Sequence, residues 1–182
     1  SIQSDEKRVW TTVQSDVAEL RKMLADNHLN AAQGLYRGPF IEGFDMQDVG
    51  TELEEWIFRM REVIAEDVRD ALLELAEQDA TKADYAAAAG RAEEAYLLRS
   101  APEPDEDLLR RIYTLLRTDD NGQAESVAKE AKGYGLELSL TSAAARQYFM
   151  SRSWVKLRRR RATDLAPQQT VVVENKVMSN KD

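Results

Sequence analysis

The stretch Thr51–Gln78, TELEEWIFRMREVIAEDVRDALLELAEQ, decides the fold. It contains neither Gly nor Pro, and its apolar residues recur at helical spacing, whereas the positions between them are largely Glu, Arg and Asp. The apolar residues are Leu53, Trp56, Ile57, Met60, Ile64, Val68, Leu72, Leu75 and Ala76. The pattern predicts a long amphipathic helix. Thr51, three residues before Glu54, predicts a capping box at its start.

Shorter helical patterns flank this stretch on both sides. The expected ranges are 5–25, 28–36, 84–99, 105–117, 122–133 and 142–160. Gly38 and Pro39 end the second of them, and Pro102 follows the fourth helix, because proline cannot extend a helix. Short turns between helices predict an all-α fold of about seven helices. We expect a tetratricopeptide-like stack of antiparallel helix pairs, an α-solenoid.

Charge divides the 182-residue chain into two parts. Residues 151–182 carry eight Lys and Arg against three Asp and Glu, a balance of +5, which leaves −13 on residues 1–150. We expect a tetratricopeptide-like helical domain over 1–150, and a basic helix end with a partly flexible C-terminal tail over 151–182. An acidic body repels phosphate backbones, so we do not expect it to bind nucleic acid.

The composition bears on the compartment. The chain has no cysteine, no apolar run near the roughly 20 residues of a membrane-spanning helix, and no secretory signal at its N-terminus. We therefore expect a cytoplasmic protein without a membrane partner. Because the chain begins at Ser1 rather than with Met, we also expect that residues upstream were removed or were never included.

The chain offers little for catalysis. Its single histidine, His28, lies near an expected helix start, where a capping or surface role accounts for it. The carboxylates fall on solvated helix faces, and the stretch Asp119–Gly122 lacks the ligand spacing of a calcium loop. No phosphate-binding glycine loop occurs. The sequence predicts a protein that is not an enzyme and that has no catalytic residue, cofactor or metal.

Two segments of the sequence resemble a known family. The first is Leu35–Asp45, LYRGPFIEGFD, and the second is Glu54–Glu62, EEWIFRMRE. A third, more general likeness runs from Gly122 to Arg146. Together they resemble the bacterial transcriptional activator domain (BTAD) of SARP-type regulators over about residues 12–150. The signature positions are Leu35, Tyr36, Arg37, Gly38, Pro39, Phe40, Gly43 and Trp56, and we expect them to pack the loop onto the helices.

The resemblance implies a role in transcription regulation and signal transduction. Such domains commonly follow a winged-helix DNA-binding domain and contact other proteins. We therefore expect a protein-interaction and oligomerisation domain, a fragment that lacks its DNA-binding winged helix. Its expected partners are its own protomer in a homodimer, the DNA-binding domain, or the transcription machinery.

An alternative function rests on a basic run near the C-terminus. This run includes Trp154, Lys156, Arg158, Arg159, Arg160 and Arg161. Such residues can bind phosphates or an acidic partner, and a tryptophan can stack on a base. They equally complement a helix dipole and keep a linker soluble. The alternative is a freestanding helical adaptor that binds nucleic acid or an acidic partner through this run.

Overall fold

The computed structural model describes residues 2–4, 9–11, 15–43 and 50–151, and for 2–4 and 9–11 it describes the backbone alone. The helices are α1 (Asp16–Ala25), α2 (Leu29–Leu35), α3 (Thr51–Thr81), α4 (Tyr85–Tyr96), α5 (Glu106–Leu116), α6 (Gln123–Gly133) and α7 (142–151). A short 3₁₀ turn, Arg117–Asp119, follows α5. The expected all-α fold of about seven helices is confirmed for the described residues, whereas the α-solenoid stays a prediction.

The N-terminal segment differs from the sequence-based prediction. A helix over 5–25 was expected, but α1 begins at Asp16, and β1 (Ile2–Ser4) pairs antiparallel with β2 (Val9–Thr11). Aromatic and β-branched residues such as those of Val9–Thr11 favour strands. Ser15 has extended dihedrals at the N-cap, and the acidic side chain of Asp16 in the first turn complements the helix dipole.

The start of α3 is also corrected. Thr51 is the first helical residue, and Gly50 occupies the N-cap without a side-chain capping bond, so the expected capping box is wrong. The Gly50 carbonyl accepts from the backbone N–H groups of Leu53 and Glu54 at 2.9 and 3.1 Å. Backbone bonds alone therefore begin the helix. Where they can be compared, the ends of the other helices agree with the expected ranges to within one turn.

The core lies on one side of α3 and between α3, α4, α5 and α6. Ala88, Ala92 and Ala95 of α4 are buried against the C-terminal half of α3, because small side chains allow two helices to approach closely. The 31 residues of α3 span about 46 Å, whereas the 12 residues of α4 span about 18 Å. Helix α4 therefore covers only the C-terminal part of α3.

Arginine side chains join consecutive helices. Arg91 on α4 donates its Nε–H to Asp79 of α3 at 2.8 Å, and its two Nη groups donate to Gln33 and Asn30 of α2. At the other end, Arg146 of α7 donates to the Thr118 carbonyl at 2.7 Å. These bonds connect the first helix pair and the last helix to the central core.

Candidate functional site

The signature loop, residues 36–43, is attached to the first half of α3 by one arginine. The Nε–H of Arg61 donates to the Phe40 carbonyl, and its Nη2 donates to the Ile41 carbonyl, both at 2.8 Å. The same guanidinium lies 5.7 Å from the ring centre of Phe58. A charged donor that reaches two carbonyls fixes the loop position more firmly than neutral bonds do. The loop is thereby ordered against the helix.

Aromatic packing completes the attachment. The rings of Phe40 and Trp56 meet edge to face with their centres 5.7 Å apart. Leu35, Tyr36 and Phe40 are partly buried against the main core. The backbone of Gly43 has a φ of 79°, in the left-handed region that glycine adopts without strain. The loop therefore has a defined conformation.

The hydroxyl of Tyr36 is a buried polar group. Among the described residues, it has no hydrogen-bond partner. Burial raises the pKa of this phenol, and the nearby Glu42 carboxylate raises it further, whereas Arg99 lowers it. Arg99 and Glu42 form an exposed ion pair at 2.6 Å. The phenol consequently stays neutral at physiological pH.

A cavity of about 600 Å³ lies between α1, the signature loop and α3. Its apolar lining includes Val17, Leu20, Phe40 and Ile64, and Tyr36 lines it too. Charged residues also line it, namely Asp16, Arg37 and Glu42. The lining is mainly apolar with a few polar groups, which is typical of ligand-binding pockets.

The structure brings all eight predicted signature residues together. Leu35, Tyr36, Arg37, Gly38, Pro39, Phe40 and Gly43 form or adjoin the loop, and Trp56 contacts it from α3. Arg37 is exposed, whereas the Trp56 side chain is packed on one edge and is 47% exposed. The other predicted set, Trp154, Lys156, Arg158, Arg159, Arg160 and Arg161, lies outside the described residues.

One apolar row on α3 is only partly covered. Leu53, Trp56 and Met60 belong to the apolar side that the sequence predicts, and Val63 adjoins it. The side chains of Leu53 and Val63 are 46% and 39% exposed, and Met60 is half-buried. Ile57 and Ile64, on the neighbouring side, are the buried ones. Helical periodicity predicts the side of a helix that is apolar. It does not predict how much of that side a neighbour covers.

The sequence also gives no sign that Arg69 is buried. Arg69 is buried, with a side chain that donates to the Pro102 carbonyl at 2.6 Å and an Nε without a partner among the described residues. It connects α3 to the segment between α4 and α5. The sequence offers no signal for this role, because Arg69 occurs among several arginines of similar spacing.

Two further findings concern the described residues. No group of three or more His, Cys, Asp or Glu side chains in that part of the chain is arranged to hold a metal ion. None of the helices there is both long and apolar enough to cross a membrane.

Comparisons of the chain with protein-family models, with curated proteins and with solved structures each returned no match. The resemblance to the bacterial transcriptional activator domain therefore stays a prediction that rests on the signature residues themselves.

Proposed function

We propose that this chain is a protein-interaction domain of a cytoplasmic, SARP-type transcriptional regulator. The DNA-binding winged helix of such a regulator is a separate segment. One observation carries the proposal, namely that the signature loop is firmly attached to α3 while the adjoining Trp56 and Leu53 are about half exposed. Half-exposed apolar side chains on an ordered scaffold are typical of a protein-binding surface.

The energetic argument favours binding over a purely structural role. A loop that only closes the fold needs its apolar residues inside. Here Ile41 and Leu53 are each more than two-fifths exposed beside Trp56, so water contacts an apolar area that a partner can cover. Tryptophan is enriched among residues that dominate binding energy in interfaces. The partners that fit are another protomer, the DNA-binding domain or the transcription machinery.

The test tethers the chain to a promoter. The full 182-residue chain is fused to a monomeric, unrelated DNA-binding domain, and transcription of a reporter with the matching operator is measured. We expect reporter output above that of the DNA-binding domain alone. Leu53→Glu should remove most of the increase, because it places a charge in the apolar surface.

The matched control is Leu97→Glu, which introduces the same charge at a leucine that is 56% exposed elsewhere on the molecule. It should leave the reporter output unchanged. Circular dichroism of each purified variant checks that the fold is intact. Equal output from the fusion and from the DNA-binding domain alone would contradict the proposal.

A further inference from the structure

One side of α3 carries a continuous row of side chains that is apolar in its first half and acidic in its second half. The row is Leu53, Trp56, Met60, Val63, Asp67, Asp70, Glu74 and Glu77, and we call it the α3 stripe. The residues alternate in spacings of three and four, which place them on one side of a helix. Its first four members are apolar and its last four are acidic.

Most of the stripe is accessible. Asp67, Asp70 and Glu74 are exposed, and with Leu24 and Leu29 they line a groove of about 360 Å³ between α3 and the first helix pair. Few cations neutralise it. Arg21 faces Asp67 and donates to the Met60 sulfur at 3.8 Å, and Arg111 pairs with Glu77 at 2.8 Å. Asp70 and Glu74 form no ion pair with any described residue.

The stripe of a second copy does not fit this surface. In a parallel pairing, the acidic halves would face each other and repel. In an antiparallel pairing, each apolar half would face an acidic half and leave carboxylates without partners. The chemistry that fits is a segment with an apolar end followed by a basic end.

The chain itself contains such a segment. Trp154–Arg161, WVKLRRRR, begins with Trp154, Val155 and Leu157 around one lysine and ends in four consecutive arginines, the only such run in the sequence. It lies outside the described residues. Eight extended residues span about 25 Å, and the α3 axis from Trp56 to Glu74 measures about 27 Å, so the lengths match.

The length of chain between Phe149 and Trp154 decides whether the segment binds the stripe of its own molecule or that of a second copy. Phe149 and Glu77 line the same groove, so the chain leaves the body near the acidic end of the stripe. Trp154 is five residues beyond Phe149, a reach of about 18 Å, whereas Trp56 lies about 31 Å from Glu77 along the α3 axis. Within one molecule the arginines reach the acidic half, but the apolar end does not reach the apolar half.

We infer that the α3 stripe binds the Trp154–Arg161 segment of a second copy of this chain, and that reciprocal exchange of the two segments forms a symmetric dimer. The apolar residues of the segment cover Trp56, Met60 and Val63, and its arginines pair with Asp67, Asp70 and Glu74. This inference names a partner for the surface around Trp56, and it therefore rests on the proposed interaction function.

The test exchanges charges between the two surfaces in the full-length chain. The stripe variant carries Asp70→Lys and Glu74→Lys, and the tail variant carries Glu at positions 158 to 161 in place of the four arginines. Sedimentation equilibrium measures the dimer dissociation constant. Wild-type protein should dimerise, and the dimer should weaken at about 0.5 M salt because charge pairs are screened. Each variant alone should weaken dimerisation roughly tenfold or more.

Mixing the two variants decides between exchange and an intramolecular contact. In the mixture, each tail meets a stripe of opposite charge on the other chain, so an equimolar mixture should form heterodimers. The matched control, Glu62→Lys with Glu66→Lys, changes the net charge equally on another side of α3, where both residues are exposed. It should dimerise as the wild type does.

Three results would overturn the inference. They are a wild-type chain that is monomeric at all accessible concentrations, a dimer that the stripe and tail variants leave unchanged, and a mixture of the two variants that stays monomeric. The promoter-tethering assay separates this failure from failure of the proposed function. A monomeric chain that still activates the reporter leaves the interaction function standing with a different partner.

Discussion

Arg61 and Phe40 are joined across the start of the long helix, where the Nε–H of Arg61 donates to the Phe40 carbonyl at 2.8 Å. The residues are 21 positions apart in the sequence. Together with the equally short bond from Arg61 to the Ile41 carbonyl, this bond holds the signature loop in place beside the half-exposed Trp56.

Arg61→Ala should destabilise the protein. It removes two bonds from a charged donor and leaves the carbonyls of Phe40 and Ile41 without that partner, at a cost of about 2 kcal/mol. Urea denaturation, followed by circular dichroism, measures the change in the free energy of unfolding. Arg59→Ala, at an exposed position on the same helix, is the control and should change that free energy by less than about 0.5 kcal/mol. Equal effects of the two variants would contradict this role.

Tyr36→Phe should leave stability unchanged or raise it by about 1 kcal/mol. The substitution removes a buried hydroxyl that has no hydrogen-bond partner among the described residues, so no bond is lost and a desolvation penalty disappears. The midpoint of urea denaturation reports the change. A loss above about 1 kcal/mol would show that the hydroxyl does have a partner in solution.

Arg91→Ala should destabilise the protein by about 2–3 kcal/mol. The change breaks the half-buried ion pair with Asp79 and both contacts to α2, so that among the described residues Asp79 keeps only the exposed Lys82, at 3.6 Å, as an ion-pair partner. Thermal denaturation measures this loss of stability. Hydrogen exchange measures the effect on α2, where the backbone amides should exchange faster than in the wild type. Arg110→Ala, at an exposed position of α5, should leave both measurements close to wild type.

The free energy of unfolding should fall between about pH 10 and pH 12, and ionisation of Tyr96 should account for part of the fall. Burial, together with the hydrogen bond to Glu130, raises the pKa of Tyr96 from 10.0 to about 12. The unfolded chain therefore releases this proton at lower pH than the folded chain does, and rising pH favours unfolding across the window. The decline attributable to Tyr96 is at most about 1.4 kcal/mol per pH unit, and solvent screening reduces it. Tyr96→Phe should show a shallower decline, and parallel curves for the two proteins would contradict the assignment.

The chain should bind nucleic acid only weakly at physiological salt. Fluorescence anisotropy with a labelled single-stranded oligonucleotide should show equal, weak binding for the wild type and for a variant with Ala at positions 158 to 161, because the acidic body repels phosphates. Steeply salt-dependent binding that the variant loses would instead support the alternative adaptor function of the arginine run.

Local sequence features fixed the helical regions and the loop between α2 and α3. Ala88, Ala92 and Ala95 recur at helical spacing in the sequence, and these small residues are buried against α3. Gly38 and Pro39 were expected to end a helix, and α2 ends at Leu35. These features depend on neighbours within a few residues, so a sequence pattern can contain them.

The N-terminal segment shows where such patterns fail. Val9, Trp10, Val13 and Val17 have helical spacing, yet Val9–Thr11 pairs with Ile2–Ser4 as a hairpin. The β-propensity of Val9 and Trp10, together with backbone pairing to the neighbouring segment Ile2–Ser4, favours strands here over the helix that the spacing indicates.

The sequence by itself determined the helices except for the start of α1, their apolar sides, the turn chemistry of the loop, and the division of charge between residues 1–150 and 151–182. The tertiary structure alone decided which part of each apolar side stays in contact with water. Ile57 and Trp56 are adjacent in the chain, but Ile57 is buried and Trp56 is 47% exposed. The reason is the unequal length of the helices, because α3 extends far beyond the reach of α4 and, among the described residues, only the signature loop and the first helix pair are left to cover its first half.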